Sequence, residues 1–163
     1  MPPTPTLPRV QLTSLLRQAL TDEGLDPDAF AQYFAEWKAL GPEGEYEDYY
    51  FGKDGFYDQP KRTGRRVLRH VHLAPTDTRV SDAEVPPEAL ARWEKDWKLR
   101  RRKTSDTSLV YAEDPAYGYL LIYIAWEPEG HEFAQMATVE TAGFMNQLAD
   151  VAEEFIHKGT VLL

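Results

Sequence analysis

The stretch 108–126, SLVYAEDPAYGYLLIYIAW, limits the fold of this chain more than any other. Two apolar runs, at about 108–112 and 119–126, flank the segment EDPAYG, where Pro115 and Gly118 carry turn chemistry. β-Branched and aromatic residues fill both runs, so the pattern predicts a β-hairpin. A hairpin alone is marginal in water and needs further strands and a covering layer. The run at about 66–74, RVLRHVHLA, predicts another strand. Its alternation sets Val67, Arg69, Val71 and Leu73 on one face and Leu68, His70 and His72 on the other. The two histidines then share a face, with side chains about 7 Å apart along the strand.

Four helical patterns supply the covering layer. QLTSLLRQAL (11–20) aligns Leu12, Leu15, Leu16 and Ala19, with Gly24 as a stop. LDPDAFAQYFAEWKALGP has Asp26 as a cap, Pro27 in the first turn, and Phe30, Phe34 and Trp37 at helical spacing before Gly41-Pro42 ends it. PEALARWEKDWKLRRRK (87–103) reads as an amphipathic helix using Leu90, Trp93 and Trp97, with its basic end where the helix dipole favours cations. TVETAGFMNQLADVAEEFIHKG closes the chain as a helix, its stripe formed by Phe144, Leu148, Val151 and Phe155 and its stop by Gly159. Segment 44–60 reads as an aromatic, acidic connection with turn signals at Gly52 and Asp54-Gly55, and 74–87 as a loop. The order α, α, β, (α), β, β, α predicts an α+β fold, a small mainly antiparallel sheet packed with N-terminal helices and a C-terminal helix.

At 163 residues the chain suits one domain with a sizeable core. No apolar run approaches the roughly 20 residues of a membrane span. The start, MPPTPTLPRV, has neither a basic region nor an apolar segment and reads as a Pro-rich tail rather than a signal peptide, so a cytoplasmic protein without a membrane partner is expected. The absence of cysteine excludes disulfides, thiolate catalysis and Cys-ligated zinc. Net charge is −9, yet residues 61–103 hold 13 of the 18 Lys/Arg and 6 of the 27 acids. That window carries +7 within an acidic remainder of −16, an asymmetry that points to anion binding or to a solvated basic face.

Five blocks, YYFGKDGFYD (49–58), LRHVHLAP (68–75), KTSDTSLVYA (103–112), LLIYIAWEPEGHEFA (120–134) and the final helix, resemble in order and spacing the YafO-type toxins of bacterial toxin–antitoxin modules. These look like relatives of RelE-type mRNA interferases. The resemblance covers about residues 26–157. It implies a RelE/ParE-like fold and a ribosome-dependent endoribonuclease acting on mRNA, neutralised by a cognate antitoxin and needing no metal or other cofactor. Residues 1–25 read as an N-terminal extension, and 26–163 as the toxin domain with an inserted helical segment at about 76–99. The acidity of the chain is unusual for such toxins.

Attack of a 2′-hydroxyl on its neighbouring phosphate needs a base, an acid and positive charge for the phosphorane. Histidine suits either proton role near neutral pH. His70, His72 and His131 are the candidate acid/base residues; they could converge if the last strand lies beside the His70 strand. Tyr111 adds a hydroxyl for a phosphate oxygen or for proton transfer. Lys103, Arg102, Arg101, Arg100, Thr104 and Arg66 are the candidate RNA-binding residues. Arg69, next to His70 but on the opposite strand face, ranks lower. A metal-binding reading uses His70, His72 and His131 with Glu129 or Glu132. A third reading is a non-catalytic protein-binding module rich in aromatic side chains.

Overall fold

The computed structural model describes residues 6–75, 87–126 and 129–163. Strand β1 (Val10–Leu12) leads into helices α1 (Ser14–Asp22) and α2 (Pro27–Ala39), a 3-10 turn (Gly41–Glu43) and the short α3 (Gly44–Glu47). Strands β2 (Phe51–Phe56), β3 (Lys61–Arg62), β4 (Arg65–Arg66) and β5 (Arg69–Leu73) follow. Helix α4 (Pro87–Lys98), strands β6 (Ser108–Asp114) and β7 (Gly118–Ala125), and helices α5 (Glu129–Gln135) and α6 (Val139–Lys158) complete the order.

The expected hairpin is β6–β7, and it is the centre of a five-stranded sheet ordered β1-β7-β6-β5-β2. All neighbours are antiparallel except β1, which runs parallel to β7, and the fold is α+β. Alternation along the strands divides the apolar side chains between two layers. Val71, Leu73, Leu109, Tyr111 and Leu121 meet Leu16, Leu20, Phe34 and Trp37 of α1 and α2. Leu68, Val110, Ala112, Leu120 and Ile122 meet Met145, Leu148, Ala152 and Phe155 of α6 on the other face.

The caps follow their chemistry. Asp26 accepts from the Asp28 amide at 2.9 Å, Thr138 and Thr141 form a capping box on α6, and Gly159 ends α6 at φ 69.

Four boundaries differ from the sequence reading. Residues 11 and 12, expected to open a helix, instead belong to β1. The Thr13 hydroxyl donates to the Ile122 carbonyl at 2.8 Å and accepts from the Leu16 amide at 3.1 Å, which fixes the helix start behind it. Segment 51–56, expected as a connection, is edge strand β2 with a bulge between Phe51 and Asp54. Gly52 there marks close approach rather than a turn: a Cβ would lie 2.4 Å from the Lys103 carbonyl oxygen and 2.7 Å from Trp93. Strand β5 is shorter than predicted because Arg65–Arg66 pairs instead with Lys61–Arg62. Helix α4 stops at Lys98, and Arg100 turns the chain at φ 54, so 101–103 are not helical. Residues 76–86 of the predicted loop and 1–5 of the Pro-rich tail lie outside the described residues.

Candidate functional site

Strand alternation sets His70 and His72 side by side on the α6 face, with ring centroids 5.4 Å apart. Tyr57, just beyond β2, donates its amide to the Leu68 carbonyl at 2.8 Å, and its ring stacks on His70 at 4.0 Å and 14°. Ser108 of β6 pairs opposite His72, and Ala134 of α5 closes the far side. These residues, with Ser105 and Asp106, line a pocket of about 150 Å³.

Each imidazole has a distinct environment. The Nδ1 of His72 lies 3.0 Å from the Ser105 amide and 2.7 Å from the Ser105 carbonyl oxygen. It can accept from the former when unprotonated and donate to the latter when protonated. The ring is therefore held in either charge state, and proton exchange with a substrate falls to Nε2. The Nδ1 of His70 is buried and has no hydrogen-bond partner among the described residues, a cost a fold rarely leaves standing. Burial, aided by the neighbouring His72, holds the His70 pKa down to about 4. Burial also lowers that of His72, partly opposed by the Ser105 backbone bond. Both rings are thus set to be neutral proton acceptors in the free protein, and an anion beside them would favour protonation.

Tyr111 does not join the histidines. It pairs with Arg69 across β5–β6, so the strand period turns it to the α2 face. Its hydroxyl donates to Asp54 Oδ1 at 2.5 Å and accepts from Arg69 Nε at 3.1 Å. Asp54 also binds Lys38 at 2.7 Å and Arg69 at 3.4 Å, while Arg69 reaches Glu113 at 3.0 Å. Burial and the Asp54 carboxylate push the Tyr111 pKa well up, so the phenol stays protonated. This network ties β2, β5, β6 and α2 together and borders a cleft of about 350 Å³ containing Trp37, Arg102 and Tyr119.

The basic candidates divide. Lys103 is fully buried: its Nζ donates to the Glu45 carbonyl at 2.7 Å and lies 5.6 Å from the Trp93 ring centroid, so it anchors the loop before Ser105 rather than meeting a phosphate. Burial lowers its pKa, against the pull of Asp48 and Glu45. Arg102 binds Glu45 at 3.0 Å and the Asp54 carbonyl at 3.2 Å. Arg100, Arg101 and Thr104 are exposed. Arg66 stacks over Phe56 at 4.9 Å beside an open groove of about 1150 Å³, lined also by Arg9, Arg65, Tyr117 and His157. That groove lies around the β6–β7 turn; its far edge is roughly 20 Å from His72 at strand rise, while Val67 brings its near edge to about 10 Å from His70.

His131 is in α5, three residues before Ala134, which lines the histidine pocket. The last strand is not beside the His70 strand, since β6 stands between β7 and β5; α5 instead brings the chain back to the pocket. Among the described residues no three His, Asp or Glu side chains are grouped to hold a metal ion, and the side chains of His131 and Glu129 lie outside that set. No helix among the described residues is long and apolar enough to cross a membrane.

Sequence reasoning missed Asp54, Lys38, Tyr57 and Ser105 as partners of these clusters. Three of them sit in the quoted blocks FGKD, GFYD and KTSD; Lys38 had no signal beyond its helix.

A family model described as Toxin YafO, type II toxin-antitoxin system, matches residues 35–157. The match contains both clusters and leaves out β1 and α1. Neither the curated proteins nor the solved structures offer a match.

Proposed function

Because this chain belongs to the YafO toxin family of type II toxin–antitoxin systems, a membership that implies a cognate antitoxin, we propose that it is a ribosome-dependent endoribonuclease that cleaves mRNA by histidine acid/base chemistry and is silenced by that antitoxin. The observation that carries this reading is the pair of adjacent imidazoles, both biased to the neutral form, at the mouth of a small open pocket.

An RNA phosphate entering that pocket brings negative charge, which raises the histidine pKa values and leaves one ring protonated and one neutral. The neutral ring takes the proton of the 2′-hydroxyl as the O2′–P bond forms. The imidazolium gives its proton to O5′ as the P–O5′ bond breaks. The products are a 2′,3′-cyclic phosphate and a 5′-hydroxyl, with protons balanced between the two rings. His72 suits exchange at Nε2 because its Nδ1 is held by Ser105 in both charge states. His131 stands in reserve for either role, given the position of α5 over the pocket. Tyr111 is a structural clamp in this scheme and touches no substrate.

Expression of the chain in bacteria tests the reading. Growth arrest with cut ribosome-bound transcripts is expected, and both effects should vanish in His70→Asn/His72→Asn while the protein stays folded. Normal growth with intact transcripts under strong expression of the unmodified chain overturns it.

A further inference from the structure

Arg17, Lys38, Arg62, Arg69, Arg102 and Lys158 are all ion-paired. Arg9, Lys53, Lys61, Arg65 and Arg66 are exposed without an ion pair among the described residues, and helix α4 with the turn after it adds five more on one short stretch of chain. Arg92, Lys95, Lys98, Arg100 and Arg101 are exposed, and none forms an ion pair among the described residues. Arg92, Lys95 and Lys98 recur every third residue and so share the outer face of the helix.

The inner face of α4 fixes that presentation. Trp93 is fully buried and its Nε1 donates to the Tyr49 carbonyl at 2.7 Å, while Trp97 Nε1 reaches the Glu47 carbonyl at 3.2 Å. Tyr49 donates to Glu94 at 3.3 Å, which ties that carboxylate to the segment packed beneath the helix. With Glu88 and Asp96 the helix has three acids, against five cations in the helix and the turn. The excess of positive charge on this exposed stretch leaves a net repulsion in the unbound protein, which a polyanion would relieve. The stripe also runs toward the chemistry. Arg101 is four residues before Ser105, a chain reach of at most about 14 Å.

We propose that the outer face of α4 and the Arg100–Arg101 turn form an RNA-docking surface that grips phosphates and leads the strand to the His70–His72 pocket. This rests on the endoribonuclease reading for its purpose but not for its test. RNA is favoured over an acidic protein because the stripe sets cations at regular spacing, which suits a phosphate backbone, and the exposed Trp97 beside it offers a ring on which a base can stack.

The test is fluorescence anisotropy with a short fluorescein-labelled single-stranded RNA and the full chain carrying His70→Asn/His72→Asn, which keeps the probe intact. Adding Arg92→Glu/Lys95→Glu/Lys98→Glu should weaken binding at least about tenfold and flatten the salt slope by about 2. Arg9→Glu/Arg65→Glu, on the groove around the β6–β7 turn, should leave both nearly unchanged. Circular dichroism and Tm of the triple variant should match the parent, since all three sites are exposed. Equal affinity and salt slope in the triple variant overturn the proposal, as does binding of fluorescein-labelled polyglutamate that the triple variant loses while keeping its RNA binding, which would assign the face to an acidic protein. Intact RNA binding beside unimpaired cleavage by the histidine variant would instead sink the catalytic reading alone.

Discussion

Replacing His70 with phenylalanine keeps a flat ring against Tyr57 and removes the titration, so it isolates what the buried imidazole does to stability. In the unfolded chain this group titrates near 6.5, and in the fold near 4. Between those values the unfolded state binds a proton that the folded state refuses, so stability falls as pH falls through that window. Linkage gives about 2.5 kcal/mol lost between pH 7.5 and pH 4.5 from this group, approaching about 3.4 kcal/mol well below pH 4. His72 acts in the same direction in both proteins and cancels to first order. Urea unfolding followed by fluorescence of the four tryptophans, at the two pH values, measures it. The unmodified chain should lose about 2.5 kcal/mol more than His70→Phe over that interval. A difference below about 0.5 kcal/mol refutes the argument that His70 is held neutral by burial.

Tyr111→Phe leaves Asp54 and Arg69 short of a shared hydroxyl inside the sheet and should cost about 1–3 kcal/mol in denaturant unfolding, while RNA cleavage per folded molecule stays unchanged. Gly52→Ala forces a Cβ against the Lys103 carbonyl and Trp93, and should lower stability by about 1–3 kcal/mol or more by thermal unfolding. Thr138→Ala removes the capping box of α6 and should cost about 1 kcal/mol in the same assay. If cleavage needs one protonated and one neutral imidazole, the depressed pKa values put the optimum of the pH–rate profile on the acid side of neutrality; an optimum above pH 8 would contradict the pairing.

The hairpin, the shared face of His70 and His72, and the closing helix were legible because each is a local period with its own cap or turn. Strand β1 was not, since three residues carry too little period to outvote a helical stripe beginning at Leu12; the decisive contact is Thr13 with Ile122, 109 positions away. Strand β2 was hidden by Gly52, whose need arises from the Lys103 loop crossing above it. Lys103 itself read as a phosphate contact because a cation in a basic run looks solvated until the fold buries it under Trp93. Arg69's face was legible from its own strand, but Tyr111's was not: the β5–β6 register, invisible in either strand alone, pairs the two and draws Tyr111 away from the histidines.

The most direct test of the central account is a cleavage map of an mRNA bound to purified ribosomes, incubated with the intact chain and with His70→Asn/His72→Asn. The account predicts discrete cuts ending in 2′,3′-cyclic phosphate with the intact chain and none with the variant. Uncut mRNA with the intact chain, or the same cuts with both proteins, would contradict it.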